Sequence, residues 1–116
     1  MIIKRSAAKV SVTDDCHGGT GRLTAVEMLG DYDKQVSGFK YVHDDTLAPG
    51  AGVGEHTHTD DEEIYLVIEG HGTMIDDGEH YEIAAGDMCV TRSGHSHGII
   101  NSTDGAMRLL VVCTIL

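Results

Sequence analysis

The stretch Gly50–His58 reads GAGVGEHTH and runs directly into the acidic segment TDDEE. His56 and His58 stand two residues apart, a spacing that puts both imidazoles on the same face of a β-strand. Two imidazoles on one side, with the carboxylates of Asp60, Asp61, Glu62 and Glu63 just beyond, form a pincer suited to a divalent metal ion. A second HxH pair, His95 and His97, follows the turn Ser93-Gly94, and His95 is expected on the same side as His97. Two such pairs on different strands of a closed β structure could converge on one interior point. Ligation requires neutral rings, so binding should weaken in acid as the histidines protonate, with an ordinary pKa of about 6.5.

The elements that must carry these residues are short strands. Ile64–Ile68 is an uninterrupted apolar run of the kind found in strands buried on both sides. Asp77-Gly78 between Thr73–Ile75 and Tyr81–Ile83 is a strong hairpin signal. Pro49-Gly50, Ala85-Gly86 and Asp104-Gly105 punctuate the rest, and a last strand is expected over Met107–Thr114. Arg22–Leu29 fits either a short helix or a strand, and its strand-like surroundings favour the strand. Asp31–Lys34 reads as a polar connection, and the glycine-rich Asp14–Gly21 as a flexible loop without a phosphate-binding pattern. Turn signals every eight to twelve residues between short strands indicate an all-β barrel or sandwich.

A chain of 116 residues is expected to form one domain, 1–116, with N-terminal strands and loop over 1–37 and the histidine-bearing core over 38–116. The core must rest on Val, Ile, Leu and Met, since Trp is absent and Phe occurs once. A formal charge of -11, from 8 basic and 19 acidic residues, excludes a nucleic-acid or anionic-membrane partner. Three scattered cysteines, Cys16, Cys89 and Cys113, give neither a disulfide framework nor a thiolate zinc site, which points to a reducing, cytoplasmic setting. The apolar tail Leu109–Leu116 is far shorter than the ~20 residues of a membrane helix and reads as a buried strand.

These residues carry a family resemblance. Gly50, His56, His58, Glu63 and Gly70 match the first cupin motif, and Gly86, Gly94, His97 and Asn101 match the second in register. Arg92 stands where the family usually has proline. The chain therefore resembles a single-domain cupin, more loosely an oxalate-decarboxylase-like one, which implies a small double-stranded β-helix or jelly-roll barrel. The resemblance implies His56, His58, Glu63 and His97 as metal ligands; only Glu63, not Glu62, leaves the motif spacing to Gly70 intact. It implies one divalent transition metal per chain, Mn, Fe, Ni, Co or Zn with Mn or Fe favoured, and open positions for water or substrate. It also implies an enzyme, a lyase or oxidoreductase, acting on a small carboxylate or oxygenated compound. A non-catalytic metal or small-ligand binder and a sugar-type isomerase are the alternatives. In the decarboxylase case a mobile-loop glutamate has no evident counterpart, and Glu55, Asp60 or His95 would have to substitute. A homodimer is expected on the same ground, with the terminal strands covering sheet edges.

Four further residues are candidates for the reaction itself. His95 could contact substrate or brace a ligand, while Tyr41 and His43, on the strand before the first motif, could line the pocket. Arg92 could offer a bidentate cation to a carboxylate at the barrel mouth. Tyr65 reads as core, Cys89 and Cys113 as buried and inert, Asp60–Glu62 as a solvated acidic run, and His71 and His80 as surface residues. The adjacent Cys16 and His17 are a poor nucleophile–base signal.

Overall fold

In a computed structural model, residues 1–30 and 38–116 are described; the polar connection read at 31–34 lies outside them. Among the described residues ten antiparallel strands form, in chain order β1 (Lys9–Asp14), β2 (Arg22–Leu29), β3 (Phe39–Leu47), β4 (Gly52–Thr57), β5 (Asp61–Glu69), β6 (His71–Asp76), β7 (Glu79–Ala84), β8 (Met88–Thr91), β9 (Ser96–Ile100) and β10 (Met107–Ile115). The ambiguous Arg22–Leu29 is a strand. Its neighbour decides this, because β2 pairs along its length with both β1 and β3.

The strands make two sheets, a six-stranded one in the order β1-β2-β3-β10-β5-β8 and a four-stranded one in the order β4-β9-β6-β7. This is a jelly roll whose sheets face each other without closing into one hydrogen-bonded cylinder. Between them lies one apolar core that includes Leu47, Val67, Met74, Ile99, Met107 and Leu109, all nearly or wholly buried. Each such side chain contributes ~1.5–3 kcal/mol by leaving water. Among the described residues no helix is long and apolar enough to cross a membrane.

The β6–β7 hairpin turns at Asp77 (φ 47°) and Gly78 (φ 83°), both left-handed, as the twist of a two-residue hairpin requires. Asn101 fixes the far end of the fold. Its fully buried amide donates to the carbonyls of Leu47, Ala48 and Gly105, and its oxygen accepts from Thr103. The motif asparagine is thus a staple joining the β9–β10 connection to the end of β3.

Two expectations need correction. The Ile64–Ile68 run is not buried on both faces: Tyr65 and Val67 are buried, Ile64 and Leu66 half-buried, and Ile68 exposed. Among the described residues no second layer covers the outer side of this strand, so only the inward alternate residues reach the core. The glycine-rich loop is also more ordered than its composition suggests. Cys16–Gly18 form a single tight turn packed on β4, and Asp15 Oδ1 accepts the Gly21 N–H.

Candidate metal centre

Strand pairing across the two sheets assembles the histidines. β4 and β9 pair His56 with His97, and β5 sets Glu63 opposite Thr91 on β8. His58 lies just past the end of β4, where its N–H donates to the His95 carbonyl and its carbonyl accepts the Gly94 N–H. The motif-two turn therefore fixes the last motif-one histidine.

One donor atom from each of His56, His58, Glu63 and His97 comes within 4.8 Å of the others. His97 Nε2 is 3.0 Å from His58 Nε2 and 3.2 Å from His56 Nε2. Glu63 Oε1 lies 3.0 Å from His97 Nε2 and 3.3 Å from His58 Nε2, yet it is buried without a hydrogen-bond partner. All but His56 are buried, which leaves that side accessible.

Every ring has its other nitrogen occupied. Nδ1 of His56 faces the Gly54 carbonyl at 2.8 Å, that of His58 faces Asp61 Oδ1 at 2.8 Å, and that of His97 faces Thr91 Oγ1 at 2.7 Å. Donation from Nδ1–H to these oxygens leaves the Nε2 lone pairs pointing at one another and at a carboxylate oxygen. A bound cation would satisfy all four of these donor atoms at once. Three imidazoles and one carboxylate suit a borderline divalent metal, so the residues fit the group the resemblance implies.

The electrostatics agree. Burial works to raise the Glu63 carboxyl, but the close approach of the His58 and His97 rings and the hydrogen bond from Tyr41 outweigh it and hold the group ionised well below the usual carboxylate range. The Tyr41 hydroxyl donates to Glu63 Oε2, the oxygen turned away from the histidines. The Glu63 carboxylate 3.3 Å away pushes His58 up, against burial, with Asp61 adding to it, whereas burial pulls His56 down.

His17 was not expected here. Its ring stacks on His56 with centroids 3.8 Å apart and planes 12° apart, while Tyr65 lies over His97 at 4.5 Å. The stack requires the left-handed His17 backbone (φ 50°) and a glycine at position 54, where a Cβ would come 2.1 Å from the His17 carbonyl oxygen. Asp61, read as part of a solvated run, is buried between His58 and Lys40 Nζ, the latter at 2.7 Å. Asp61, His58 and Cys113 also approach within 4.8 Å, but Asp61 is already paired on both sides and acts as a brace.

A cavity of about 250 Å³ runs from this cluster into the interior, lined by Tyr41, His43, Asp45, Tyr65, Cys16 and His17 among others. Tyr41 and His43 thus sit where the sequence places them, stacked at 4.7 Å. Two of the other candidates do not. His95 belongs to the turn before β9, so strand alternation does not apply to it; its ring is exposed and Nδ1 meets Asp77 Oδ2 at 2.6 Å. Arg92 is 72% exposed and pairs with Glu62 at 3.4 Å on the outer surface. Neither lines the cavity. Glu55 and Asp60, the suggested stand-ins for a loop glutamate, are exposed. Burial, with the charges of Asp45 and Glu63, pushes the Cys16 thiol up, so it is not poised as a nucleophile.

Comparison with known proteins accords with this architecture. The chain is 30% identical over its whole length, and over 95% of the relative's, to an oxalate-binding protein of Thermotoga maritima. It superposes with a TM-score of 0.91 and 30% identity on the crystal structure of a predicted oxalate decarboxylase from Thermotoga maritima, covering all of both chains. A sugar phosphate isomerase from Silicibacter pomeroyi shares the fold with a TM-score of 0.75 and 25% identity, over all of this chain and 76% of that one. Residues 44–113 match the cupin domain, and the chain belongs to the cupin family.

Proposed function

We propose that this cupin binds one divalent metal ion, Mn or Fe foremost, through His56, His58, Glu63 and His97, and that the metal centre takes a small carboxylate such as oxalate. The observation that carries this reading is the Nε2 convergence of three histidines on a buried Glu63 Oε1 that has no hydrogen-bond partner. A carboxylate ligand is supported by the oxalate-binding relative and by the accessible His56 side of the cluster.

When bound, such an ion supplies a Lewis acid that polarises carboxylate oxygens and fixes their orientation. The chain's own residues do the rest. Asp61 and Thr91 hold His58 and His97 with Nε2 facing the centre, Tyr41 anchors Glu63 Oε2, and His17 and Tyr65 pack on the rings of His56 and His97. His43 is the side chain best placed to exchange a proton with a ligand in the cavity, since the Tyr41 hydroxyl is committed to Glu63 and burial raises its pKa. Turnover as a lyase or oxidoreductase would rest on His43. The sugar-type isomerase reading rests on the fold alone.

A non-catalytic binder is the second reading. It is favoured by the exposure of Glu55, Asp60 and His95, which leaves the cavity without a further acid in a mobile-loop position. Exposed Val10 and Val12 on the edge strand β1 support a homodimer, and three free cysteines support a cytoplasmic setting.

The test is metal analysis followed by calorimetry. Protein loaded with Mn(II) should hold close to one ion per chain and bind oxalate, and replacement of His56 and His97 together should abolish both. Oxalate consumption by the loaded protein separates the enzyme from the binder; saturable binding without product selects the binder.

A further inference from the structure

The cavity that reaches the four-residue cluster has a second polar end, which the metal centre does not use. Asp45, on β3, lines it and is 7% exposed. Its Oδ1 is buried with no hydrogen-bond partner among the described residues, and His43 Nδ1 stands 3.7 Å away, beyond hydrogen-bonding range. Burial of an unpaired carboxyl is unfavourable and is rarely retained without a partner. Burial and the charges of Glu63, Asp44 and Glu27 push this one up to about 7, so the protein tolerates an acid it does not itself satisfy.

The strand register locates Asp45 relative to the metal cluster. On the inner face, Tyr41, Cys113 and Glu63 form one row across β3, β10 and β5; His43, Val111 and Tyr65 form the next; Asp45, Leu109 and Val67 form the third. Two rows correspond to about 14 Å of strand, shortened by the side chains that project into the space between. No Lys or Arg lines this cavity among the described residues, and burial lowers the pKa of His43, the imidazole beside Asp45, so no permanent positive charge there would neutralise a second carboxylate brought in by a ligand. At about 250 Å³ the space lies below the range of drug-sized pockets.

We propose that Asp45 is a specificity-determining residue. It accepts a hydrogen bond from a hydroxyl or amino group at the far end of a ligand whose carboxylate is held at the His56–His58–Glu63–His97 cluster. The preferred ligand is thus a hydroxy- or aminocarboxylate of about four to six carbons, rather than a dicarboxylate of equal length. This rests on the carboxylate reading above. Oxalate, which is too short to reach Asp45, can occupy the cluster without it.

Calorimetry on the Mn(II)-loaded protein tests this with two matched sets: butyrate, γ-hydroxybutyrate, γ-aminobutyrate and succinate; then caproate, ε-hydroxycaproate, ε-aminocaproate and adipate. In at least one set the hydroxyl- or amino-ended acid should bind about tenfold tighter than the methyl-ended acid and than the dicarboxylate. Asp45→Ala should abolish that preference. Asp45→Asn, which removes the charge and adds a donor, should raise the dicarboxylate relative to the hydroxy acid by about tenfold. Oxalate affinity should be unchanged in both variants. Because they remove an unpaired buried acid, both should melt no lower than the parent; if either unfolds, the parent's own ranking still decides.

A parent that favours the dicarboxylate, or variants that keep the parent's ranking while oxalate still binds, would overturn the role of Asp45 alone. Failure of oxalate and of both sets to bind overturns the carboxylate reading and this proposal with it.

Discussion

Asp61 Oδ1 lies 2.8 Å from Nδ1 of His58, while the other Asp61 oxygen is 2.7 Å from Lys40 Nζ. The carboxylate is thereby held in place and fixes both the tautomer and the orientation of the imidazole. Asp61→Asn should keep the fold and weaken metal binding by about 10- to 100-fold, as loss of a carboxylate behind a ligating histidine usually does. Competition against a chelator of known affinity measures this, and unchanged affinity would rule out the bracing role.

Metal removal should lower thermal stability, because a ligand that binds only the folded state stabilises it by about 2.7 kcal/mol at a hundred times its Kd. Melting curves with and without chelator should therefore differ for the parent. For His97→Ala they should coincide, since that variant lacks the one ring close to both His56 and His58.

Metal retention should fall on acidification at a pH set by His58. The adjacent Glu63 carboxylate, with Asp61 adding, raises this ring's pKa above its ordinary value, so a proton competes with the metal starting above pH ~6.5. The apparent affinity for Mn(II), titrated at a series of pH values, should already be falling on acidification at pH ~6.5, with the onset moving down in Asp61→Asn. An affinity independent of pH down to well below that value would contradict the raised ring.

Asp45 has the opposite consequence to that of a salt-bridged acid. Its folded pKa of about 7, raised by burial and by Glu63, Asp44 and Glu27, exceeds the unfolded value of ~3.9, so the folded state holds the extra proton between the two. Its contribution to stability declines as pH rises through that window and levels off above it. The melting temperature of Asp45→Asn in metal-free protein, taken relative to the parent, should climb from pH ~4 to ~7. A flat difference would contradict the shift.

Gly54→Ala should dislodge the turn that carries His17, because the new Cβ would come 2.1 Å from the His17 carbonyl oxygen. We expect a destabilisation of ~1–3 kcal/mol, the usual cost of overpacking, together with weaker metal binding as His56 loses its stacked neighbour. Denaturant melts and metal titration read the two effects separately, and an unperturbed protein would show that the turn moves freely.

The all-β class, the turns and the His56–His58 pincer were legible in the sequence for local reasons, while the full set with Glu63 and His97 came from the family resemblance. Strand alternation has a period of two, turns such as Asp77-Gly78 need residues that accept a left-handed backbone, and the two histidine motifs have fixed internal spacing. His95 shows the limit of such reasoning: alternation placed it with His97, but it belongs to a turn and faces Asp77.

Apart from Tyr41 and His43, the residues that orient and surround the cluster left no local trace. Thr91 reaches His97, Tyr41 reaches Glu63, and Asp45 shares a cavity with Glu63 only because β3, β10, β5 and β8 pair in a particular register. Register is a property of the sheet, set by how whole inner faces pack, and a one-residue slip would turn each of these side chains to the other side. The sequence by itself determined which side chains could bind a metal. Tertiary structure alone decided which nitrogen of each ring faces the cluster, which acids are paired, and that Asp45 Oδ1 is left inside without a hydrogen-bond partner among the described residues.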